Sequence, residues 1–365
     1  MEIYLSDLTY NNGWKFDIQE ILEDYTEAIW TKRWQELGDC VVKIPTDALK
    51  TVTDYNELID KFLILKGALD DTGNPTPNDY MIIESVVIDY DLDNNEIITI
   101  EGKDLLVLLQ RRIIWGQQSF RTEQTIKEAV DTLVTDAIVS PSNSDRAIDD
   151  FVIDTYTASD TFEASQRSYT NLFEAIVELC KDTYSPDVRF DNGFKFKLYS
   201  GVDRTIEGSN PLVFSKRLDN LEKYQYLRDV SDYKNAWLCG GDGEGADRKT
   251  QSKAWTDATG ITRRELFIDA KDISSTDDDG DIPEATYNQM LLQRIDEKRL
   301  ETWIKEATTA ELTFDYKYGR DYSIGDKATL IDGLGNIHTI RITEFIRSMN
   351  GTGYSEYPNF EILGE

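Results

Sequence analysis

The glycine-rich segment 240–250 is the part of the chain most suggestive of chemistry, because its glycines and its Lys-Thr end resemble a phosphate-binding loop. A Walker loop needs a glycine directly before the Lys-Thr pair, and this sequence has Arg248 at that position. Asp242 and Glu244 would also repel a phosphate. We therefore interpret the segment as a connection between strands. A nucleotide-binding regulator stays open as an alternative, and it requires phosphate binding here.

Other catalytic or metal-binding chemistry has little support in the residue types. The single histidine, His338, rules out a histidine-rich metal site, and no triad motif surrounds it. The acidic run 277–281 could chelate calcium, but an EF-hand register places Thr286 where the bidentate glutamate belongs. Among 69 Asp and Glu residues some carboxylates pair in any fold, so no glycosidase pair can be assigned. We predict no catalytic residue, no cofactor and no metal site.

The aromatic cluster at 30–34 contains two tryptophans with an arginine between them. Such side chains can stack on a sugar or on a partner side chain. Packing within a strand, with the arginine paired to a carboxylate, is the commoner arrangement. We predict that this cluster and the glycine-rich loop have structural or interaction roles, carried by Trp30, Arg33, Trp34, Gly241, Gly243, Gly245 and Arg248.

Composition and charge restrict the class of protein. The chain has 365 residues with 11% aromatics, which is typical of a globular protein of two or three domains. Its 39 basic and 69 acidic residues leave a net charge of −30, which argues against gripping DNA phosphates or an anionic membrane. The cysteines Cys40, Cys180 and Cys239 lie far apart, which indicates buried thiols. We expect no membrane anchor and no signal peptide, because the apolar runs are short and the first residues are not basic.

Residues 1–115 have the pattern of short strands separated by turn-forming residues. A hairpin is predicted from strands at 82–90 and 96–101, because the Asp and Asn residues between them favour a turn. Further strands are predicted at 3–5, 40–44 and 62–65, followed by one or two helical turns within 104–112.

Residues 116–211 change to a mixed pattern. Apolar residues from Ile126 to Ile138 recur at helical spacing, with Thr122 as the predicted N-cap and Pro141 ending the helix. A second helix is predicted at 170–181, followed by a hairpin with Asn192-Gly193 as its turn. These elements predict a small α+β insertion.

The rest of the chain is again rich in predicted strands. Residues 212–270 contain strands at 235–239 and 264–269, which we expect to pack on the first domain. Residues 271–365 begin with an acidic linker and a helix from Pro283 to about Ala307. Four strands are predicted after it, at 312–316, 327–331, 336–347 and 360–363. The fold class is therefore α+β and β-rich.

Five segments, spread in order over most of the chain, carry a family resemblance. They are 30–38 with the strand ending at Pro45, 100–106 through 111–114, 233–248, 264–270, and the late pair Gly325-Asp326. Together they resemble the tail-tip hub proteins of long-tailed bacteriophages and prophages, which are related to baseplate hubs and to the N-terminal part of tail-associated proteins.

The resemblance implies two tube-like β-barrel or sandwich domains, with the α+β domain inserted between them. It also implies a homotrimer that caps the tail tube, contacts distal tail and tail-tube proteins, and connects them to the receptor-binding or tip proteins. The expected location is the virion tail tip after synthesis in the bacterial host cytoplasm. DNA would pass through the channel without specific binding, helped by acidic walls.

We expect a structural, non-enzymatic protein on these grounds. Tail-associated relatives often continue into fibre-like or wall-degrading regions, whereas this sequence stops at Glu365, so no attached enzyme is expected. The alternative is a tail-tip protein that binds carbohydrate or degrades cell wall through aromatic and carboxylate side chains.

Overall fold

In the computed structural model, the described part of the chain divides into two units. The described residues are 1–10, 13–52, 54–65, 79–90, 94–121, 123–162, 164–182, 187–191, 194–220, 223–277, 280–302, 305–311, 316–333 and 335–363. The first unit comprises residues 1–224 and 309–365, and the second comprises residues 225–308.

Strands dominate the described chain, as the predicted β-rich class requires. They are β1 Ile3–Tyr10, β2 Trp14–Leu22, β3 Glu27–Arg33, β4 Asp39–Pro45, β5 Phe62–Leu65, β6 Tyr80–Tyr90, β7 Glu96–Lys103, β8 Gln117–Phe120, β9 Val152–Ile153, β10 Ser165–Ser168, β11 Asp187–Asp191, β12 Lys195–Tyr199, β13 Asp203–Arg204, β14 Val213–Ser215, β15 Lys223–Asp229, β16 Ala236–Gly240, β17 Thr250–Ala254, β18 Glu265–Asp269, β19 Thr276–Asp277, β20 Gly280–Asp281, β21 Lys305–Glu311, β22 Lys327–Ile331, β23 Ile337–Asn350 and β24 Gly353–Ile362. The α-helices are α1 Val107–Gln110, α2 Ile126–Val134, α3 Leu172–Asp182 and α4 Glu284–Glu301.

One large sheet organises the first unit. Its strands lie in the order β24-β23-β3-β4-β7-β6-β5-β1-β2, and β22 pairs with β23, β13 and β14. The predicted hairpin of β6 and β7 is confirmed, with antiparallel pairing from Ile82 opposite Lys103 to Tyr90 opposite Glu96. The pairing of β23 with β3 joins the late part of the chain to its beginning in one sheet.

β5 shows why a run of four apolar residues occurs in this sheet. All four side chains are buried, and successive side chains of a strand point to opposite faces. Leu63 and Leu65 pack into one core with residues of β1, β3, β4 and β7. Phe62 and Ile64 pack into a second core that contains the apolar faces of α2 and α3. The α+β insertion therefore covers one face of the sheet at β5 and β6.

α2 begins later than predicted. Its N-cap is Thr125, which forms a capping box with Glu128, and the predicted cap Thr122 lies outside the described residues. A Thr followed three residues later by Glu satisfies two main-chain donors at once, so Thr125 is the better cap. After Val134 the helix continues as a π-helical turn, Thr135–Val139.

The second unit is a small sheet covered by a helix. β16 lies between β17, which is antiparallel to it, and β18, which is parallel. α4 buries Tyr287, Leu291 and Ile295 against the sheet, which are spaced i, i+4 and i+8.

Two elements of the later chain differ from their prediction. α4 ends at Glu301 and the chain is extended again from Lys305, so the helix to about Ala307 is wrong. β-branched Thr308 and Thr309 favour the strand. Strand β17 was not predicted, and it lies within what the sequence indicates as one long connection.

The predicted domain boundaries also differ from the two units. β16 and β18 belong to the second unit and form their own sheet, whereas β22 to β24 continue the sheet of the N-terminal strands. Pairing between strands so distant in sequence depends on sheet edges that only the folded chain presents. The chain leaves the first unit in β15 and returns in β21.

Candidate functional site

The aromatic cluster lies at the end of β3, where the first and last parts of the chain meet. Trp30 is 1% exposed, and its Cα lies opposite Cys40 of β4 and Arg347 of β23. Trp34, at 9% exposed, packs with Ile324 and Phe345 in a small separate core. The two tryptophans are therefore packed within the protein.

Arg33 is held by two carboxylates from different strands. Its Nε donates to Oε1 of Glu344 at 2.9 Å, and its Nη1 lies 3.0 Å from Oδ1 of Asp39. Nη1 also donates to the carbonyl of Leu37 at 3.0 Å. Burial opposes the charge, but the two carboxylates outweigh it and raise the pKa of Arg33. Arg33 thus ties β3 to β4 and β23.

The Trp34 ring explains why residue 325 is a glycine. Gly325 has φ +89°, and a Cβ added there would overlap the Trp34 ring. The guanidinium of Arg341 lies 5.0 Å from the centre of that ring. Only glycine allows this close approach together with a positive φ.

Asp326 is a buried carboxylate with four donors. It accepts hydrogen bonds from Tyr199 Oη at 2.7 Å, Val202 N at 2.8 Å, Arg204 Nε at 2.7 Å and Ser323 N at 3.0 Å. Since its side chain is completely buried, the charge depends on these donors. Asp326 connects the α+β insertion to the late strands.

Asp104 has a similar role beside the cluster. Its Oδ2 accepts from Gly38 N at 2.8 Å and its Oδ1 accepts from Leu106 N at 3.0 Å. A Cβ at Gly38 would lie 2.7 Å from the carbonyl oxygen of Thr31. Burial raises the pKa of Asp104 to about 6, although the two amides and the nearby lysines oppose the shift. We call the set Arg33, Trp34, Asp104, Gly325 and Asp326 the Trp34 junction.

A pocket of about 280 Å³ opens beside the junction. Its central charge is Asp79, whose Oδ1 lies 2.7 Å from Nζ of Lys32 and whose Oδ2 lies 3.0 Å from Nη1 of Arg347. Burial disfavours the ionised carboxyl, but Lys32 and Arg347 outweigh it and lower the pKa of Asp79. The pKa values of Asp79 and Asp104 are thus shifted in opposite directions, which in an enzyme marks an acid and a base. Here each oxygen already faces a donor from the chain, and we assign both carboxylates a structural role.

The glycine-rich loop lies in the second unit, as the turn between β16 and β17. Arg248 folds back over it, with Nη2 donating to Gly240 O at 2.7 Å and Nε to Gly241 O at 3.0 Å, and forms an ion pair with Asp269. The main-chain amides of Gly241 and Lys249 donate to carbonyls within the loop. A phosphate site needs such amides to point at the ligand, so this geometry does not favour a nucleotide.

The loop requires glycine at three positions, for two different geometric reasons. Gly243 and Gly245 have φ +94° and +55°, which favours glycine. A Cβ at Gly241 would overlap the Tyr287 hydroxyl, which accepts a hydrogen bond from Asp242 N at 2.7 Å. The predicted site residues therefore divide into Trp30, Arg33 and Trp34 in the first unit and the glycine loop with Arg248 in the second.

The other residues considered for metal binding or catalysis are His338 and the acidic run 277–281. His338 Nε2 lies 3.2 Å from Asp332 Oδ2 on a strand face. The acidic run contains β19 and β20, and its residues 278–279 lie outside the described part. Within the described ranges no three His, Cys, Asp or Glu side chains form a metal-binding group. Among the helices that the structure describes, none has the length and apolarity needed to cross a bilayer.

The comparison with protein families gives the assignment. The model of the family described as Siphovirus ReqiPepy6 Gp37-like protein matches residues 7–357. The chain belongs to this family. The resemblance to tail proteins of long-tailed phages is thereby confirmed. A search among curated proteins finds no match to the Gp37-like chain.

Solved structures of prophage tail proteins share the fold. The 43 kDa tail protein of prophage MuSo2 from Shewanella oneidensis is 14% identical, with a TM-score of 0.57 over 99% of this chain and 98% of the other. The tail protein from Neisseria meningitidis MC58 is 11% identical, with a TM-score of 0.55 over 100% and 97%. Prophage tail protein gp18 from Listeria monocytogenes EGD-e is 13% identical, with a TM-score of 0.50 over 99% and 94%. The likeness covers both units.

Sequence reasoning missed the charged partners of the aromatic cluster. Glu344, Asp79 and Arg347 lie far from β3 in sequence and carry no motif that could have found them. Asp104 and Asp326 lie within segments that carry the family resemblance, but their burial and donors are visible only in the fold.

Proposed function

We propose that this Gp37-like chain is a structural tail-tip hub, which as a homotrimer caps the tail tube and connects it to the receptor-binding or tip proteins. The observation that carries the proposal is the family match over 351 residues, from 7 to 357. The shared fold with three prophage tail proteins supports it. The proposed location of the protein is the tail tip of the virion.

The geometry of the described side chains supports a structural role more than an enzymatic one. The charged side chains of the Trp34 junction, Arg33, Asp104 and Asp326, bind the chain's own donors and acceptors at distances near 3 Å. Such pairing holds strands together, and none of these three side chains is arranged as a nucleophile beside an activating base. Two tube-like β domains in each chain, one early and one late, remain part of the proposal.

The acidic charge has a use in this proposal. Three copies at −30 would carry −90, and carboxylates facing a central channel would repel genome phosphates from its wall. DNA would then slide without specific binding. A solved trimer with its carboxylates mostly on the outer surface would remove this part of the proposal and leave the hub itself.

The deciding experiment is the absolute mass of the purified chain by light scattering after size exclusion, over a concentration series at physiological salt. A trimer has about three times the chain mass of 41.9 kDa. If the chain is monomeric, it is co-expressed with the tail-tube protein of the same genome. Failure to form either a trimer or a complex with that partner contradicts the proposal.

A second candidate is a tail-tip protein that binds carbohydrate, favoured by a pocket of about 320 Å³ lined by the half-exposed Trp115. Wall degradation is a separate outcome, and release of soluble sugar or peptide from purified cell walls would reveal it. Specific retention on the walls without release would favour binding alone.

A further inference from the structure

A second pocket, of about 320 Å³, lies in the first unit, between the α+β insertion and the residues directly before it. Buried Ile114, Leu133 and Ala137 supply apolar surface to its lining. The polar and aromatic lining residues are Trp115, Gln118, Asp136, Ser140, Ser142 and Arg146. We call this the Trp115 pocket.

A π-helical turn shapes one wall of the Trp115 pocket. α2 gives way to this turn at Thr135, and Ser140 N donates to Thr135 O at 2.8 Å, five residues back. The turn carries Asp136 and Ala137, which line the pocket. π-helical turns are rare and frequently occur at functional sites.

The polar groups are positioned but only partly used. Gln118 Nε2 donates to Asp136 Oδ2 at 2.7 Å, which orients both side chains. Arg146 donates through Nη2 to Ile113 O at 2.7 Å, and its guanidinium lies 4.4 Å from the centre of the Trp115 ring. Within the part of the chain that the structure describes, Oδ1 of Asp136 has no hydrogen-bond donor.

Trp115 is the exposed aromatic of this pocket. Its side chain is 49% exposed, although a tryptophan of a packed protein is usually well covered. An indole with an apolar ring and a polar edge suits a ligand that is itself apolar on one side and polar on the other.

We propose that the Trp115 pocket binds a pyranose ring of a neutral saccharide. The apolar C–H face of the sugar would lie on the face of the Trp115 ring that Arg146 does not cover. Its hydroxyls would bond to Asp136 and Arg146, which present planar, paired hydrogen-bonding groups. One carboxylate and one guanidinium leave the lining without net charge, which favours a neutral sugar over a phosphate or an acidic peptide. The volume lies within the range of small-ligand pockets.

The test is binding of the full chain to a printed array of pyranosyl glycans from bacteria and plants, followed by calorimetric titration with the best glycan. Trp115→Ala should weaken binding about tenfold, because aromatic stacking is lost. Asp136→Asn should weaken it by a similar factor while keeping the side-chain shape. Both variants should keep the thermal unfolding midpoint of the parent, which separates loss of binding from loss of fold.

Trp255→Ala is the matched control. Trp255 is 38% exposed and has Arg299 over its ring at 5.2 Å, but it belongs to the second unit. It should bind every glycan as the parent does. The proposal is overturned if no glycan is retained on the array, or if retention survives both Trp115→Ala and Asp136→Asn. These outcomes leave the hub proposal untouched, because the oligomeric mass tests that separately.

Discussion

The Trp34 junction and the Trp115 pocket use the same residue types in opposite ways. Each has a tryptophan with an arginine over its ring, Arg341 at 5.0 Å in the first and Arg146 at 4.4 Å in the second, and a carboxylate nearby. Trp34 is 9% exposed and Trp115 is 49% exposed. In the junction the chain satisfies its own polar groups, so they stabilise the fold. In the pocket they are only partly used by the chain, which leaves hydrogen-bonding capacity for a ligand.

The largest expected effect is in the junction, at its glycine. Gly325→Ala places a Cβ against the Trp34 ring at a backbone of positive φ, and we expect a loss of about 4 kcal/mol of unfolding free energy or failure to fold. Gly335→Ala is the control, since Gly335 has nearly the same φ but no atom within 4 Å of the added Cβ. It should cost about 1 kcal/mol. Equal losses in urea unfolding would show that φ alone, and not the ring contact, determines the effect.

The next effect concerns the buried carboxylate of Asp326. Asp326→Asn removes the charge that faces Arg204 and leaves a buried donor without its acceptor, so we expect a loss of about 3 kcal/mol. Asp321→Asn removes a carboxylate paired with the exposed Arg320 and should cost much less, because solvent screens this pair. Urea unfolding of both variants checks the difference. A similar loss of unfolding free energy for both would contradict the idea that burial makes the Asp326 carboxylate more important for stability.

A smaller effect in the junction depends on pH. The pKa of Asp104 is about 6 in the folded chain and about 4 in the unfolded chain, so between these values the folded state holds a proton that the unfolded state has lost. Asp104 therefore contributes most stability below about pH 4, and this contribution falls as pH rises to about 6.

Unfolding free energies of the parent and Asp104→Asn, measured from pH 4 to pH 7, should reveal this contribution. Subtracting the variant removes the background of the other carboxylates. The advantage of the parent should shrink by about 1 to 2 kcal/mol as pH rises, after allowance for solvent screening. A difference that is constant with pH, or that grows, would contradict the raised pKa.

The smallest effect on stability is expected in the Trp115 pocket. Trp115→Ala and Arg146→Ala should each change the unfolding free energy by less than about 1 kcal/mol, because these side chains are partly exposed. Trp34→Ala should cost about 3 kcal/mol, because it empties buried space beside Gly325. Thermal unfolding of the three variants sharpens the comparison. A large loss for Trp115→Ala would make that tryptophan a structural residue as well.

Local patterns predicted much of the fold. The hairpin of β6 and β7 and the position of α3 followed from alternation and helical spacing, because these are short-range properties of the chain. β2 was missed since it is an exposed, charged strand at one end of the sheet order, with a bulge opposite Leu5 and Ser6. The end of α4 was misplaced because apolar residues beyond Glu301 continue the helical pattern into a region that turns extended.

The candidate sites were predicted only in part. Trp30, Arg33 and Trp34 attract attention through their residue types, and the failure of the Walker pattern at Arg248 already argues against a nucleotide loop. Nothing in the sequence separates Trp34 from Trp115, because exposure depends on which strands and helices surround a residue.

The sequence by itself determined the β-rich class, the net charge of −30, the hairpins and the family resemblance, since each is read from neighbouring residues or from composition. Only the tertiary structure decided that β23 pairs with β3 and that Asp326 is buried among donors from the insertion and its own turn. It also placed Asp136 beside Trp115 at a π-helical turn. The physical reason is that sheet edges, burial and paired charges depend on contacts between residues far apart in sequence, and such contacts leave no local pattern.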